Sequence, residues 1–317
     1  MAKVIVAGGA GFIGSYLCDG LLELQHDVLC IDNLLTGSEK NIAHLKNNSH
    51  FTFIDHNIIE PLSNDLSAEF VFHLASPASP NHHSKISYHQ LPMETMMANT
   101  TGTLNLLQFS EKNHARFLFT STSEVYGDPL EHPQKESYRG NVSTIGPRSV
   151  YDEAKRFAET LISFYWREKG LDARIVRIFN TYGPRMSKED MRMISIFINE
   201  ALDNKPITIF GDGKQTRSLC YVSDTVDGIL RMMFHKNTRA EVVNIGSFDE
   251  HTVLEYAEIV KKLTNSKSEI IHSEKLPIDD PLRRRADITK AKELVGWAPI
   301  VSLEEGLKKM IEYSKNL

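Results

Sequence analysis

Apolar residues in this chain fall into short unbroken runs that alternate with longer stretches where they recur every three or four positions. Val4-Ile5-Val6-Ala7 is the first run, and glycines follow it at once. Phe12 to Leu24 then places Leu17, Leu21 and Leu24 on one helical face, and Val28-Leu29-Cys30-Ile31 ends at Asp32 and Asn33. Strand, tight turn, helix and strand in about thirty residues make a βαβ unit. The alternation continues with strands at 51–54, 69–74, 116–119 and 174–178, and with helices over Thr95–Lys112 and Tyr151–Lys169. Runs without polar alternation are what a parallel sheet covered on both faces requires. The pattern therefore predicts an α/β, Rossmann-like parallel sheet with helices on both faces.

The rhythm changes after Gly183-Pro184. Met191–Leu202 reads as a helix, Ile207–Phe210 as a strand, and Ser223-Asp224 as the cap of a helix through Val226, Ile229 and Leu230. Val242–Ile245 is another strand, Thr252 opens a helix, and Ser302 to Ser314 repeats Leu303, Leu307, Met310 and Ile311 at helical spacing. A smaller C-terminal α/β domain is expected from residues 186–221 and 246–317. The first domain, 1–185, would recover about 222–245.

A length of 317 residues accommodates two such domains. A net charge of −5 offers no basic field for nucleic acid. Three scattered cysteines, Cys18, Cys30 and Cys220, suit neither a disulfide framework nor a thiolate metal site. No run approaches the roughly 18 apolar residues of a membrane span, and Met1–Gly9 leads straight into the strand pattern, so a cytoplasmic protein is expected. His82, His83 and His89 lack acid or cysteine partners at ligand spacing and read as a surface loop, so no metal is expected. Met93–Met97 reads as packing or a dimer face.

Gly8-x-x-Gly11-x-x-Gly14 lies between strand and helix. Gly8 would make the turn, Gly11 would let the backbone approach a pyrophosphate, and Gly14 would let helix and sheet close. Asp32, at the end of the second strand, suits the ribose hydroxyls of NAD, and no basic residue directly follows it to favour NADP. Its alternative role is to cap the turn. Tyr151 and Lys155 stand four apart and share a helix face. A nearby ammonium would favour the phenolate of a tyrosine that is otherwise a poor base at neutral pH. Thr120-Ser121-Thr122-Ser123-Glu124 brings hydroxyls to the carboxyl end of a parallel strand, where open α/β sheets place ligands.

Several stretches carry a resemblance: Gly8–Gly14, His73–Pro80, Ser121–Pro129, Ile145–Arg156, Arg177–Arg185 and Gln215–Arg217. Together the chain resembles the extended short-chain dehydrogenase/reductase (NAD-dependent epimerase/dehydratase) family of nucleotide-sugar enzymes. Within that family it is most similar to the branch that decarboxylates nucleotide-linked glucuronic acid. Ser123-Glu124 before Val-Tyr-Gly points to this branch, since 4,6-dehydratases usually have Asp-Glu there and 4-epimerases usually lack the acid. Epimerase and dehydratase remain alternatives because they share the oxidation at C4.

The resemblance implies a site. Tyr151 would take the proton of the sugar 4-hydroxyl, and Lys155 would hold the nicotinamide ribose and lower the tyrosine pKa. Thr122 would relay the proton, Ser123 and Glu124 would lie near C5 and the carboxylate, and Arg284 would face the sugar acid. Asn180, Arg185 and Arg217 would hold the substrate, with Arg217 on the diphosphate. Gly8, Gly11, Phe12, Ile13, Gly14, Asp32, Asn33, Asn57, Leu74, Ala75, Tyr151 and Lys155 would line NAD. Departures from the family pattern are Asn57 for the usual Asp, Ala286 for the usual Pro, and a longer segment from Asn81 to Pro92. Such enzymes pair as homodimers through a four-helix bundle, to which Phe157, Leu161, Phe164 and Tyr165 would contribute. Burial of these four residues against their own sheet is the alternative.

Overall fold

A computed structural model describes residues 1–276 and 280–316. The first half is built on strands β1 (Lys3–Ala7), β2 (Asp27–Asp32), β3 (Phe51–Asp55), β4 (Phe70–His73), β5 (Arg116–Thr122) and β6 (Ala173–Ile178). Later strands are β7 (Thr181–Tyr182), β8 (Ile207–Phe210), β9 (Thr216–Ser218), β10 (Cys220–Tyr221), β11 (Val242–Ile245), β12 (Glu250–Thr252), β13 (Ile270–Glu274) and β14 (Arg283–Arg284). Helices α1 (Phe12–Glu23), α2 (Pro92–Met97), α3 (Thr103–Asn113), α4 (Ser149–Glu168) and α5 (Met193–Leu202) are followed by α6 (Val222–Phe234), α7 (Val253–Thr264), α8 (Thr289–Val295) and α9 (Leu303–Lys315).

Seven strands form one parallel sheet in the order β11-β6-β5-β4-β1-β2-β3. Chain order reverses between β1 and β4, and in open α/β sheets the crevice at such a switch point takes the ligand. Val4, Ile5, Val6 and Ala7 are all fully buried because helices cover both faces, which explains their unbroken apolar run. One core cluster unites Leu17, Leu21, Ile229 and Met233 on the α1 and α6 face, and another unites Leu106, Leu107, Ala158 and Ile162 on the α3 and α4 face.

Beyond the large sheet, β8 pairs with β13, and β9 lies between antiparallel β12 and parallel β14, with α5, α7 and α9 packed together. β14 stands in register with β9, Arg284 beside Arg217, which brings two distant arginines together. Helix α8, grouped with the later segments by sequence, packs against β11 and α6.

Two expected elements differ. The single helix over 95–112 is α2 and α3 joined by a π-helical turn at Ala98–Gly102. Thr95, Thr100 and Thr103 each bond back to the carbonyl four residues earlier, and Ile58 occupies the place a Cβ on Gly102 would take. Ser223-Asp224 does not cap α6, which begins at Val222 after an extended Tyr221. The Asp224 carboxylate instead accepts from the Ile300 and Val301 amides at 3.0 and 2.9 Å, so it fixes the chain entering α9.

Candidate active site

Helix α4 buries Tyr151, Ala154, Lys155, Ala158 and Ile162, a stripe at helical spacing against the sheet. Tyr151 and Lys155 therefore face the carboxyl end of β5, whose last residue, Thr122, opens a short 3₁₀ turn through Tyr126. The Thr122 hydroxyl accepts from the Glu124 amide at 3.2 Å and also lies against the Tyr151 phenol. A cavity of about 900 Å³ runs from the glycine turn past this point into the second half of the chain. Gly8, Gly11, Phe12, Ile13, Gly14, Leu74, Thr122, Ser123, Glu124, Tyr151, Lys155, Asn180, Arg185 and Arg217 line it.

The glycine turn fits a dinucleotide. Gly8 has φ +83°, and a Cβ there would lie 2.6 Å from the Ala75 amide nitrogen. A Cβ on Gly14 would meet the Gly8 carbonyl oxygen at 2.0 Å, so α1 can approach β1 only with glycine there. Gly11 is different: its Cβ would meet only the Gly8 oxygen, at 3.2 Å, and otherwise open space. That space, at the start of α1, is where backbone amides meet a pyrophosphate.

Asp32 caps the turn in this structure. One carboxylate oxygen accepts from the Ala10 amide of the glycine turn and the other from Leu34, each at 2.9 Å, and burial raises its pKa. Asp32 and Ala75 lie just behind the cavity wall rather than on it. Asn33 and Asn57 are also off the wall, their side-chain oxygens accepting from the amides two residues on, Leu35 and Ile59, at 3.2 Å. Asn57 thus has one acceptor site of its amide oxygen engaged locally.

Glu124 is held by two guanidiniums. Arg148 Nη2 donates to one oxygen at 2.5 Å and Arg284 Nη1 donates to the other, while Arg284 Nη2 reaches the Gly127 carbonyl at 3.0 Å. Arg148 Nη1 continues to Asp280 at 3.1 Å, and Arg217 Nη2 donates to the other Asp280 oxygen at 2.8 Å. The result is an alternating ladder, Arg284–Glu124–Arg148–Asp280–Arg217, that ties the 3₁₀ turn and α4 to the second half of the chain. Burial opposes ionisation of Glu124, yet Arg148 and then Arg284 outweigh it and bring its pKa down to about 2. Arg284 itself sits behind Glu124, off the cavity wall.

Burial also dominates the tyrosine and lysine. It pushes the Tyr151 phenol up to about 12, opposed by the Thr122 hydrogen bond and by Arg192. It brings Lys155 down to about 7, opposed by Glu159. Lys155 Nζ donates to the Thr120 carbonyl at 2.8 Å and lies 5.8 Å from the Tyr151 ring centroid. Among the larger influences on the phenol the cation is Arg192, while Lys155 is desolvated and bonded to the Thr120 carbonyl.

Other expected residues fare unevenly. Arg185 lines the cavity, but its guanidinium is taken by Asp19 at 2.7 Å and by the face of Tyr16, both on α1. The histidines lie in a loop, His82 and His83 exposed and His89 half-buried; His82 stacks on His89 at 3.7 Å, His89 contacts Tyr88, and His82 and His83 line the cavity. Sequence reading passed over Arg148, Arg192 and Tyr88. Arg148 had a signal, standing three residues before Tyr151 on the same helix face. Arg192, whose Nη2 donates to the Ala78 carbonyl at 3.0 Å, had none.

Fold and site together define a class: Rossmann-fold enzymes with a dinucleotide crevice and a Tyr-x-x-x-Lys pair at its inner end. The chain belongs to the NAD dependent epimerase/dehydratase family, whose model matches residues 4–246. It is 48% identical over 314 residues to UDP-glucuronic acid decarboxylase 1 of Arabidopsis thaliana, covering 99% of this chain and 70% of that one. UDP-glucuronic acid decarboxylase 5 of the same plant is 50% identical, with 98% and 88% covered. Among solved structures, UDP-glucose 4-epimerase of Thermotoga maritima with UDP-glucose is similar at TM-score 0.86 and 32% identity, with 99% of each chain covered. UDP-glucuronic acid 4-epimerase of Bacillus cereus, in complex with UDP-glucuronic acid and NAD, reaches TM-score 0.85 at 29% identity, again with 99% of each chain covered.

Proposed function

We propose that this protein is an NAD-dependent nucleotide-sugar decarboxylase that converts UDP-glucuronate to UDP-xylose and CO₂. The observation that carries the reading is the near full-length identity to UDP-glucuronic acid decarboxylases in a chain whose Tyr151 stands beside an arginine-rich wall. NAD held along Gly8, Gly11 and Gly14 supplies oxidation at C4 of the sugar and its reversal.

Each side chain then has a task. Tyr151 takes the proton of the 4-hydroxyl, and Thr122 holds the oxygen it leaves. A carboxylate two bonds from the resulting ketone can lose CO₂ because the electrons pass into the carbonyl as an enolate, and a proton taken up at C5 from solvent restores the ketone before it is reduced again. Tyr151 and Thr122 are placed to stabilise that oxygen. Glu124, ionised through Arg148 and Arg284, holds Arg148 in place beside the sugar rather than donating a proton. Arg192 and Arg217 match the anionic acid and diphosphate, since a planar guanidinium pairs with both. Lys155 orients the nicotinamide ribose from its seat on Thr120. Residues 1–185 with 222–245 serve the cofactor, and 186–221 with 246–317 serve the substrate.

The test is incubation with UDP-glucuronate, following CO₂ and the sugar product by NMR. UDP-pentose with CO₂ supports the reading. A 4-epimer without CO₂, or a 4-keto-6-deoxy sugar from another nucleotide sugar, overturns it in favour of the epimerase or dehydratase alternative. Tyr151→Phe should lower turnover roughly 10²–10⁴-fold, the usual contribution of a positioned acid/base.

The working form we propose is a cytoplasmic homodimer joined through a four-helix bundle of α2–α3 and α4. Phe157, Phe164 and Met93 are 51%, 42% and 58% exposed on these helices, which supports the pairing. Tyr165 is buried in its own core and drops out of the expected set. Among the described residues no helix is long and apolar enough to cross a membrane. A monomeric mass for the unmodified protein by light scattering would exclude the dimer.

A further inference from the structure

A chain of polar side chains runs from β11 to the end of β5, where Lys155 is seated. The Tyr126 hydroxyl donates to Asn244 on β11 at 2.8 Å and accepts from Arg177 Nη1 at 3.0 Å. Arg177, on β6, holds Glu159 of α4 by both carboxylate oxygens, Nε donating to one at 2.9 Å and Nη2 to the other at 2.7 Å. The Ser121 hydroxyl donates to the first of these oxygens at 2.6 Å. Glu159 stands one helical turn beyond Lys155, as Lys155 stands one turn beyond Tyr151, so the three share a face of α4. Ser121 lies between two residues on which the site depends. Its neighbour Thr120 seats Lys155 Nζ on its carbonyl at 2.8 Å, and its neighbour Thr122 lies against the Tyr151 phenol.

Burial works against the ammonium form of Lys155, because a charge out of water is costly unless it is matched. Its surroundings come from four elements. Tyr151 and Glu159 belong to its own helix, and Phe119 of β5 offers a ring face at 4.5 Å. His73, at the end of β4, is kept neutral by burial, its pKa brought down to about 3. Arg177 of β6 lies beyond Glu159. Among the described residues, the charge that favours the ammonium is therefore that of Glu159, and Lys155 still stands at about 7. Removing the Glu159 charge would also leave the Arg177 guanidinium, 13% exposed, without its counter-charge.

We propose that Glu159 is a positioning residue: by holding Ser121 and balancing Arg177 it keeps Lys155 as an ammonium on the Thr120 carbonyl, ready for the nicotinamide ribose. Its part in turnover rests on the UDP-glucuronate reading above, whereas the charge of Lys155 can be read without substrate. Cyanate reacts with a neutral amine and not with an ammonium. The carbamylation rate of Lys155 in NAD-free protein, followed by peptide mass spectrometry from about pH 5 to about pH 10, therefore gives the midpoint of its titration. Glu159→Gln keeps the side chain's size and removes its charge, so the midpoint should fall by about one pH unit. Glu159→Asp keeps the charge and should titrate within about 0.5 unit of wild type. In NAD-loaded Glu159→Gln at neutral pH, kcat should fall up to about tenfold with KM for UDP-glucuronate unchanged, as the ammonium is lost. A lowered melting temperature with the labelling midpoint still at the wild-type value overturns the proposal. So does a midpoint that falls equally in Glu159→Gln and Glu159→Asp. If the midpoint shifts as expected while wild type releases no CO₂ from UDP-glucuronate, the decarboxylase reading fails and the role of Glu159 stands.

Discussion

Arg148→Met removes the middle rung of the buried ion ladder at nearly constant volume. Arg148 is 7% exposed in its side chain and bridges Glu124 to Asp280. Removing one partner of a buried pair costs about 3–5 kcal/mol when the other charge is left alone. Here each carboxylate keeps one guanidinium, Arg284 on Glu124 and Arg217 on Asp280, so the loss should fall below that range, at about 2–3 kcal/mol. The pH dependence separates charge from packing. The folded-state pKa of Glu124 is depressed from 4.5 to about 2, so its ionisation stabilises the fold above 4.5 and this stability is lost as pH falls through 2. With Arg148 gone the folded pKa rises. The gap between wild type and variant should then be full at neutral pH and shrink below the ordinary carboxylate pKa. Urea denaturation of the NAD-free protein from about pH 7 to about pH 3 reads this directly. A gap that stays constant over the whole range would assign the loss to packing. A gap below about 0.5 kcal/mol at neutral pH would mean that the ladder does not hold the two halves of the chain together.

Further outcomes follow from the buried amine and the glycine turn. Lys155 has its pKa lowered from 10.5 to about 7, so the unfolded chain binds more protons between these values and stability rises with pH across that window. In NAD-free protein Lys155→Met should therefore be more stable than wild type at and below about pH 7, with the advantage fading towards 10.5. A pH-independent difference in melting temperature would contradict this. Gly14→Ala forces a Cβ to 2.0 Å from a backbone oxygen and should abolish both stable folding and NAD binding. Gly11→Ala meets only one backbone oxygen, at 3.2 Å, and should melt close to wild type while binding NAD at least about tenfold more weakly by fluorescence titration, since the new methyl enters the pyrophosphate space. A variant that binds NAD normally would remove the glycine turn from the cofactor site.

Legibility in the sequence followed the range of the interaction. The strands β1, β8 and β11, the helix start at Thr252 and the Tyr151–Lys155 face were readable because each is a local regularity of period or spacing. The π-helical turn at Ala98–Gly102 was not, since it depends on Ile58 from another part of the chain occupying the place of a side chain at Gly102. Asp224 was misread for the same kind of reason: its carboxylate serves amides at Ile300 and Val301 rather than its own helix.

The candidate site divides likewise. By itself the sequence determined the parallel sheet, the glycine turn and the presence of a tyrosine, lysine and threonine at the carboxyl end of one strand, because short-range periodicity and turn chemistry are written in neighbouring residues. Only the tertiary structure decided what those groups are in place. It set Glu124 between Arg148 and Arg284, which are 24 and 160 positions away, and so kept it ionised. It buried Lys155 on a carbonyl, turned Arg185 onto α1, and laid Tyr88 flat on Tyr151. Charge state and aim depend on desolvation and on partners that only folding brings within a few ångströms, and no local pattern carries that information.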